Sequence, residues 1–177
     1  NSETFTDIDG NVYKTVKIGN QIWMAENLRV SRFRNGELIS NNQLINTWDK
    51  IEYPNWLIYD NDVINDIKYG KLYNWPAVID ERNLAPEGWH IPNADDWKEL
   101  DEFIYNNKLY DKNDYKILSK NFNDLQLPYP LHNAKSLASS EDWLDRNDIG
   151  AVGNDLSKNN SSGFSALPSG SFDGKYN

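Results

Sequence analysis

The segment from Ile91 to Tyr105, "IPNADDWKELDEFIY", leaves the chain little conformational choice. Ile91 precedes a proline and is pushed to extended geometry. Asn93 is a favoured N-cap, and Asp95 and Asp96 fall in the first turn, where the helix dipole favours anions. Trp97, Leu100, Phe103 and Ile104 recur at helical spacing and share one face, with Trp97 as the expected core anchor. Pro92 and Trp97 hold the positions of a hydrophobic staple, and Asp96 stands where a capping box places its acid. The spacing predicts a helix over about 94–105, the main helix of the chain.

Strand signals surround it. The stretch "TFTDIDGNVYKTVKIGNQIWMA" places the turn pairs Asp9-Gly10 and Gly19-Asn20 between runs rich in Val, Ile, Thr and Tyr, which predicts a three-strand meander. "DIDGN" also resembles the start of a calcium loop with Asp7, Asp9 and Asn11 as oxygen donors. The twelfth position counted from Asp7 is Ile18 where such a loop needs a glutamate, so a hairpin turn is the favoured reading. Residues 31–66 read as a long ordered loop, because four large aromatics, Trp48, Tyr53, Trp56 and Tyr59, argue against disorder. "KYGKLYNWPAVI" at 68–79 returns to strand character, with Gly70 permitting a bend and Pro76 keeping it off a central position.

Further on, short helices are expected over about 114–120 and from about Asn133. The second would be capped by the Asn133 side chain and carry Ala134, Leu137 and Ala138 inward. Residues 150–163 read as loop, and "GFSALPSGSFDGKYN" as an extended or strand segment entering an Asp-Gly turn. No returning strand follows to pair it, so continuation of the natural chain beyond Asn177 is expected in preference to a partner chain supplying the strand. The fold class is α+β: antiparallel strands, one main helix, one or two short helices and long ordered loops. At 177 residues this is read as a single domain over 1–177, incomplete at its C-terminal end.

Composition removes whole classes of chemistry. With no cysteine, disulfides, zinc-thiolate sites and thiol nucleophiles are excluded. A net charge of -9 argues against a nucleic-acid partner, and no apolar stretch is long enough for a transmembrane helix. His90 and His132 are the only imidazoles and neither has a second histidine at metal spacing; His90, set opposite Trp89 and Ile91 in an extended segment, reads as structural. No nucleophile elbow or phosphate-cradling motif occurs. A carboxylate pair acting on glycosidic bonds is the remaining enzymatic alternative. The acids on the predicted helix, Asp95, Asp96, Glu99, Asp101 and Glu102, lie mainly opposite Trp97 and Leu100 and read as a solvated face. No catalytic, metal or cofactor residue is therefore assigned.

Five separated stretches, "DIDGNVYKTVKIGNQIWMAENLR" (7–29), "YGKLYNWPAV" (69–78), "LAPEGWHIPNADDWKEL" (84–100), "AKSLAS" (134–139) and "SGFSALPSGSFDG" (162–174), occur in the order seen in the Fibrobacter succinogenes major paralogous domain family (FISUMP), which the chain resembles over nearly its whole length. The resemblance implies a C-type-lectin-like scaffold, related to that of the sulfatase-modifying-factor group, in a surface-exposed or secreted protein of Bacteroidetes or related bacteria, often a lipoprotein. It also implies two further C-terminal strands, which these residues do not contain. The family's cysteine before Pro-x-Gly-Trp is absent here, where Leu84 and Ala85 stand, and a chain without cysteine cannot perform the copper-dependent oxidation of the formylglycine-generating relatives. The calcium-dependent sugar motifs of C-type lectins have no counterpart either.

The expected function is thus a non-enzymatic binding or assembly module at the cell surface or outer membrane, or secreted, with any lipid anchor outside these residues. Its partner would be a protein, a glycan or a larger outer-membrane complex, contacted through Trp48, Tyr53, Trp56 and Tyr59. The alternatives are a carboxylate-based polysaccharide-active enzyme and a purely structural subunit completed by a neighbouring chain.

Overall fold

The computed structural model describes residues 3–42, 52–121 and 133–171. Their architecture is α+β. A three-stranded sheet of order β1-β2-β3 (Thr4–Thr6, Val12–Ile18, Gln21–Met24) is followed by a two-stranded antiparallel ribbon of β4 (Trp56–Ile58) and β5 (Lys71–Tyr73). The helices are α1 (Val63–Tyr69), α2 (Trp75–Val78), α3 (Ala94–Asn106), α4 (Lys112–Asn121) and α5 (Asn133–Leu137), with single 3-10 turns at Tyr59–Asn61 and Leu156–Lys158. The chain divides into two compact units: one of Asn1–Glu3, Lys14–Ala25 and Pro92–Pro168, the other of Thr4–Tyr13, Glu26–Ile91 and Ser169–Asn177.

In the first unit, β2 and β3 form a tight antiparallel hairpin in which Ile18 faces Gln21 across the expected Gly19-Asn20 turn. Gly19 has φ +63° and a Cβ there would come within 2.8 Å of the Phe103 ring, so both backbone conformation and space demand glycine. Ile18, Leu100 and Ile104 form the buried core, with Val16, Trp23, Phe103, Leu109, Leu137 and Phe164 packed against it.

Helix α3 starts as its sequence dictates. Asn93 Oδ1 accepts the backbone N–H of Asp95 (2.7 Å) and of Asp96 (3.2 Å), and the Asp96 carboxylate accepts the N–H of Asn93 at 2.8 Å, a complete capping box. Asn93→Ala is therefore expected to lower the unfolding free energy by about 1 kcal/mol, read from the urea midpoint at unchanged slope.

Trp97 departs from its expected role. It is 41 % exposed, and Leu100 and Ile104 are the fully buried residues of the helix. Trp97 instead closes an aromatic cluster, its ring 5.0 Å from that of Trp23 and 6.0 Å from that of Phe164.

Helix α5 also differs from expectation. The Asn133 side chain is not a cap: it is buried and donates its amide to the Asp101 carboxylate at 3.0 Å. Ala134 is exposed, while Lys135 and Ser136 are buried beside the expected Ala138. The reason lies in the partners. Lys135 Nζ meets Asp114 Oδ2 at 3.3 Å, and the Ser136 hydroxyl donates to the carbonyl of Leu109, so both polar groups have bonds to take inside. Asp111 accepts the N–H of Asn113 and of Asp114 at the head of α4, and those amides, the Asp114 one foremost, hold its carboxyl below the usual range. The described part of the segment after Gly163, to Ser171, forms no strand but makes one parallel bridge, Ala166 to Ala138, so it is not left unpaired there. The Asp173-Gly174 turn lies outside the described residues.

The second unit packs around Val30, Phe33, Ile39, Trp56, Ala77 and Leu84, with Leu28, Ile58, Tyr73 and Val78 against them. Two expectations are corrected here. The supposed loop over 31–66 contains β4 and the start of α1; α1 is capped by Asp62, whose carboxylate accepts the N–H of Ile64. Its Val63, Ile64 and Ile67 are 67 %, 70 % and 69 % exposed, so helical spacing is present without a core beneath it. The strand-like 68–79 segment is a strand only from Lys71 to Tyr73. Asn74 then caps α2 by accepting the N–H of Ala77, and Pro76 in the first turn loses no intrahelical bond.

Candidate functional site

The second unit builds a concavity from three separated pieces of chain. The first is the turn after β1. Asp7 folds it by accepting the N–H of Asp9 (2.9 Å) and of Asn11 (2.9 Å), the Asn11 side-chain amide (2.8 Å) and the Tyr13 hydroxyl (2.6 Å). The Tyr13 hydroxyl in turn accepts the N–H of Arg29 at 3.0 Å. Burial and the bond to Asp7 push the Tyr13 hydroxyl far above the ordinary tyrosine range. Asp9 accepts the N–H (2.5 Å) and hydroxyl (2.9 Å) of Ser31 and pairs with Arg32 Nε at 3.1 Å. The carboxylates of the calcium-like "DIDGN" thus organise a hairpin turn.

The second piece is 31–39, a narrow turn closed by Phe33 N–H to Glu37 carbonyl (2.9 Å) and Ile39 N–H to Ser31 carbonyl (2.9 Å). In extended chain, alternate side chains point to opposite sides. Phe33 accordingly goes fully into the core, while Arg32 and Arg34 share the cleft face.

The third piece is the loop 84–89. Arg34 clamps it, donating Nε to the Ala85 carbonyl (3.0 Å) and Nη2 to those of Pro86 (3.2 Å) and Trp89 (2.7 Å). Phe5 lies between Tyr13 and Trp89, with ring centroids at 6.2 and 5.4 Å. The resulting cleft encloses about 300 Å³. Val30, Leu84, Pro86, Phe5 and Ile8 give its apolar lining, and Thr6, Asp7, Arg32, Arg34 and Glu87 its polar lining.

The four aromatics expected at a partner surface separate. Trp48 lies outside the described residues. Tyr53 and Tyr59 are 48 % and 47 % exposed. Trp56 is the correction: it is 9 % exposed, belongs to the core, and carries the Lys71 ammonium 4.6 Å from its ring centroid while that ammonium pairs with Asp66. A residue not singled out from sequence takes its place at the surface, since Trp75 is 68 % exposed. Asn74, the residue before Trp75, donates its side-chain amide to the Tyr53 backbone carbonyl at 2.8 Å, which ties the two stretches of chain together. The legible signal was Asn74-Trp75-Pro76, a cap and first turn that settle α2 with Trp75 and Ile79 one helical turn apart.

The acids of α3 have roles or exposure of their own. Asp95, Glu99 and Glu102 are exposed, Asp96 serves the capping box, and Asp101 receives Asn133. His90 is exposed and His132 lies outside the described residues. Among the described residues no three His, Asp or Glu side chains gather at metal-binding distances, and no helix is long and apolar enough to cross a membrane.

These features define an α+β protein whose second unit presents a small mixed cleft and exposed aromatics. The chain belongs to the Fibrobacter succinogenes major domain family, whose profile matches residues 16–177. No curated protein and no solved structure matches it.

Proposed function

We propose that this chain is a non-enzymatic binding module of the bacterial cell surface, carried by an outer-membrane lipoprotein or a secreted protein, on a scaffold of C-type-lectin-like kind. The observation that carries the reading is Trp75. A tryptophan 68 % exposed, with the half-exposed Tyr53 on the stretch tied to its own, on a chain of mean hydropathy -0.78, is an amphipathic aromatic surface of the kind used in recognition. At these exposures each ring leaves apolar area open to solvent that a partner, a glycan or a surface protein, would cover.

The test is binding of fluorescently labelled protein to a glycan array and to intact bacterial cells. The double variant Tyr53→Ala/Trp75→Ala is expected to lose at least tenfold in retention with an unchanged circular dichroism spectrum. Equal retention by the double variant overturns the reading. So does release of reducing ends from any polysaccharide incubated with the purified chain, since that is turnover and not capture.

A further inference from the structure

We infer that the cleft framed by Phe5, Ile8, Arg32, Arg34, Pro86 and Glu87 is a subsite for a neutral saccharide ring. The inference rests on the binding-module reading and names a ligand class for a site separate from the Tyr53 and Trp75 surface. Three properties of the cleft point to this chemistry.

The first is charge. The ionisable side chains lining it are two guanidiniums, Arg32 and Arg34, and two carboxylates, Asp7 and Glu87, so their formal charges cancel. A phosphate or sulfate would meet Asp7 and Glu87 on a chain of net charge -9, and a cation would meet two arginines. A neutral polar ligand meets neither penalty.

The second is the supply of open hydrogen-bonding groups. Arg34 commits Nε and Nη2 to the carbonyls of the 84–89 loop, which fixes its plane and leaves Nη1 bonded to no described residue. Arg32 commits Nε to Asp9 and Nη1 to the Gly36 carbonyl, leaving Nη2 in the same condition. Glu87 is 88 % exposed, and its Oε2 stands 3.8 Å from Arg34 Nε, beyond hydrogen-bond reach, so its lone pairs are open. Asp7 by contrast is filled by four protein donors. Fixed donors next to a carboxylate whose oxygens accept no hydrogen bond from the described residues suit hydroxyl groups, each of which both donates and accepts. A peptide carboxylate would use the arginines and be repelled by Glu87.

The third is shape and surface. At about 300 Å³ the cleft sits at the lower end of ligand sites, a size for one ring rather than an extended chain. Phe5 and the half-exposed Ile8 offer apolar surface to the C–H face of a sugar. Sugars present that face together with a rim of hydroxyls, and the cleft presents the complement of both.

The experiment is saturation-transfer NMR on the whole chain with cellotriose, mannotriose and N,N′-diacetylchitobiose as neutral probes and glucuronic acid as the charged one, followed by titration of the strongest. Transfer from at least one neutral probe is expected. Glu87→Ala is expected to weaken it at least tenfold, and Arg34→Lys to weaken it while keeping the charge, because the fixed planar fork is lost. Ile64→Ser on the exposed face of α1 serves as the control that retains binding. Thermal unfolding of each variant shows that the fold persists. Neutral sugars that bind Glu87→Ala as well as the parent sink the cleft assignment and leave the binding-module reading standing. No transfer from any neutral probe, or tighter binding of glucuronic acid than of all of them, overturns the inference outright.

Discussion

Lys135→Met is expected to lower the unfolding free energy by about 3 kcal/mol, with the loss visible in both the urea midpoint and the thermal transition. The Lys135 side chain is 3 % exposed and that of Asp114 13 %, and their charged atoms stand 3.3 Å apart. Methionine fills nearly the same volume, so packing changes little. What remains is a carboxylate in a poorly solvated place without its cation, and that uncompensated charge is the origin of the loss. The double variant Lys135→Met/Asp114→Leu removes both charges and is expected to recover most of the stability. A loss under about 1 kcal/mol in the single variant would mean that water reaches Asp114 and that the pair is a surface interaction.

Asp7→Ala is expected to cost about 3 kcal/mol for a different reason. Its carboxylate receives two backbone N–H groups, one side-chain amide and the hydroxyl of Tyr13, itself 0 % exposed. Water can replace the carboxylate for the amides of the turn. It cannot readily reach the Tyr13 hydroxyl, which would be left buried without its acceptor. Tyr13→Phe alone removes two hydrogen bonds, the one to Asp7 and the one from the Arg29 N–H, and should cost about 2 kcal/mol, while Asp7→Ala made in that background should cost clearly less than in the parent. Equal costs in the two backgrounds would show that the turn amides, not Tyr13, carry the effect.

Helix α3 and the two turns of the first sheet were legible in sequence because every group that decides them lies within a few residues. Asn93 and Asp96 close the capping box with each other, and Gly19 with Asn20 makes a two-residue hairpin turn. The assignment to the α+β class followed, as did membership of the family, since the motifs stand in order along the chain. Helix α1 was hidden for the opposite reason. Val63, Ile64 and Ile67 have helical spacing and face outward, so the apolar pattern did not mark a core-facing stripe. In α5 Leu137 and Ala138 face inward as their spacing indicated, but Ala134 does not, and Lys135 takes an interior place because the Asp114 carboxylate receives it there.

The aromatics show the same division most sharply. Trp56 and Trp75 are the same residue type in comparable polar surroundings, yet one is 9 % exposed and the other 68 %. Trp56 lies in a strand whose partner brings Lys71 over its ring, and Trp75 lies one residue past the cap of a short helix. The cleft likewise joins residues 5–8, 32–34 and 84–87, and the Arg34 bonds to the carbonyls of Ala85, Pro86 and Trp89 help tie the last two together. By itself the sequence determined the capping of α3, the turns of the first sheet, the absence of thiol chemistry and the family, all written in neighbouring residues or in inventory. Which side chains are buried, and which distant ones share a cleft, only the tertiary structure decided, because burial and convergence depend on what packs from elsewhere in the chain.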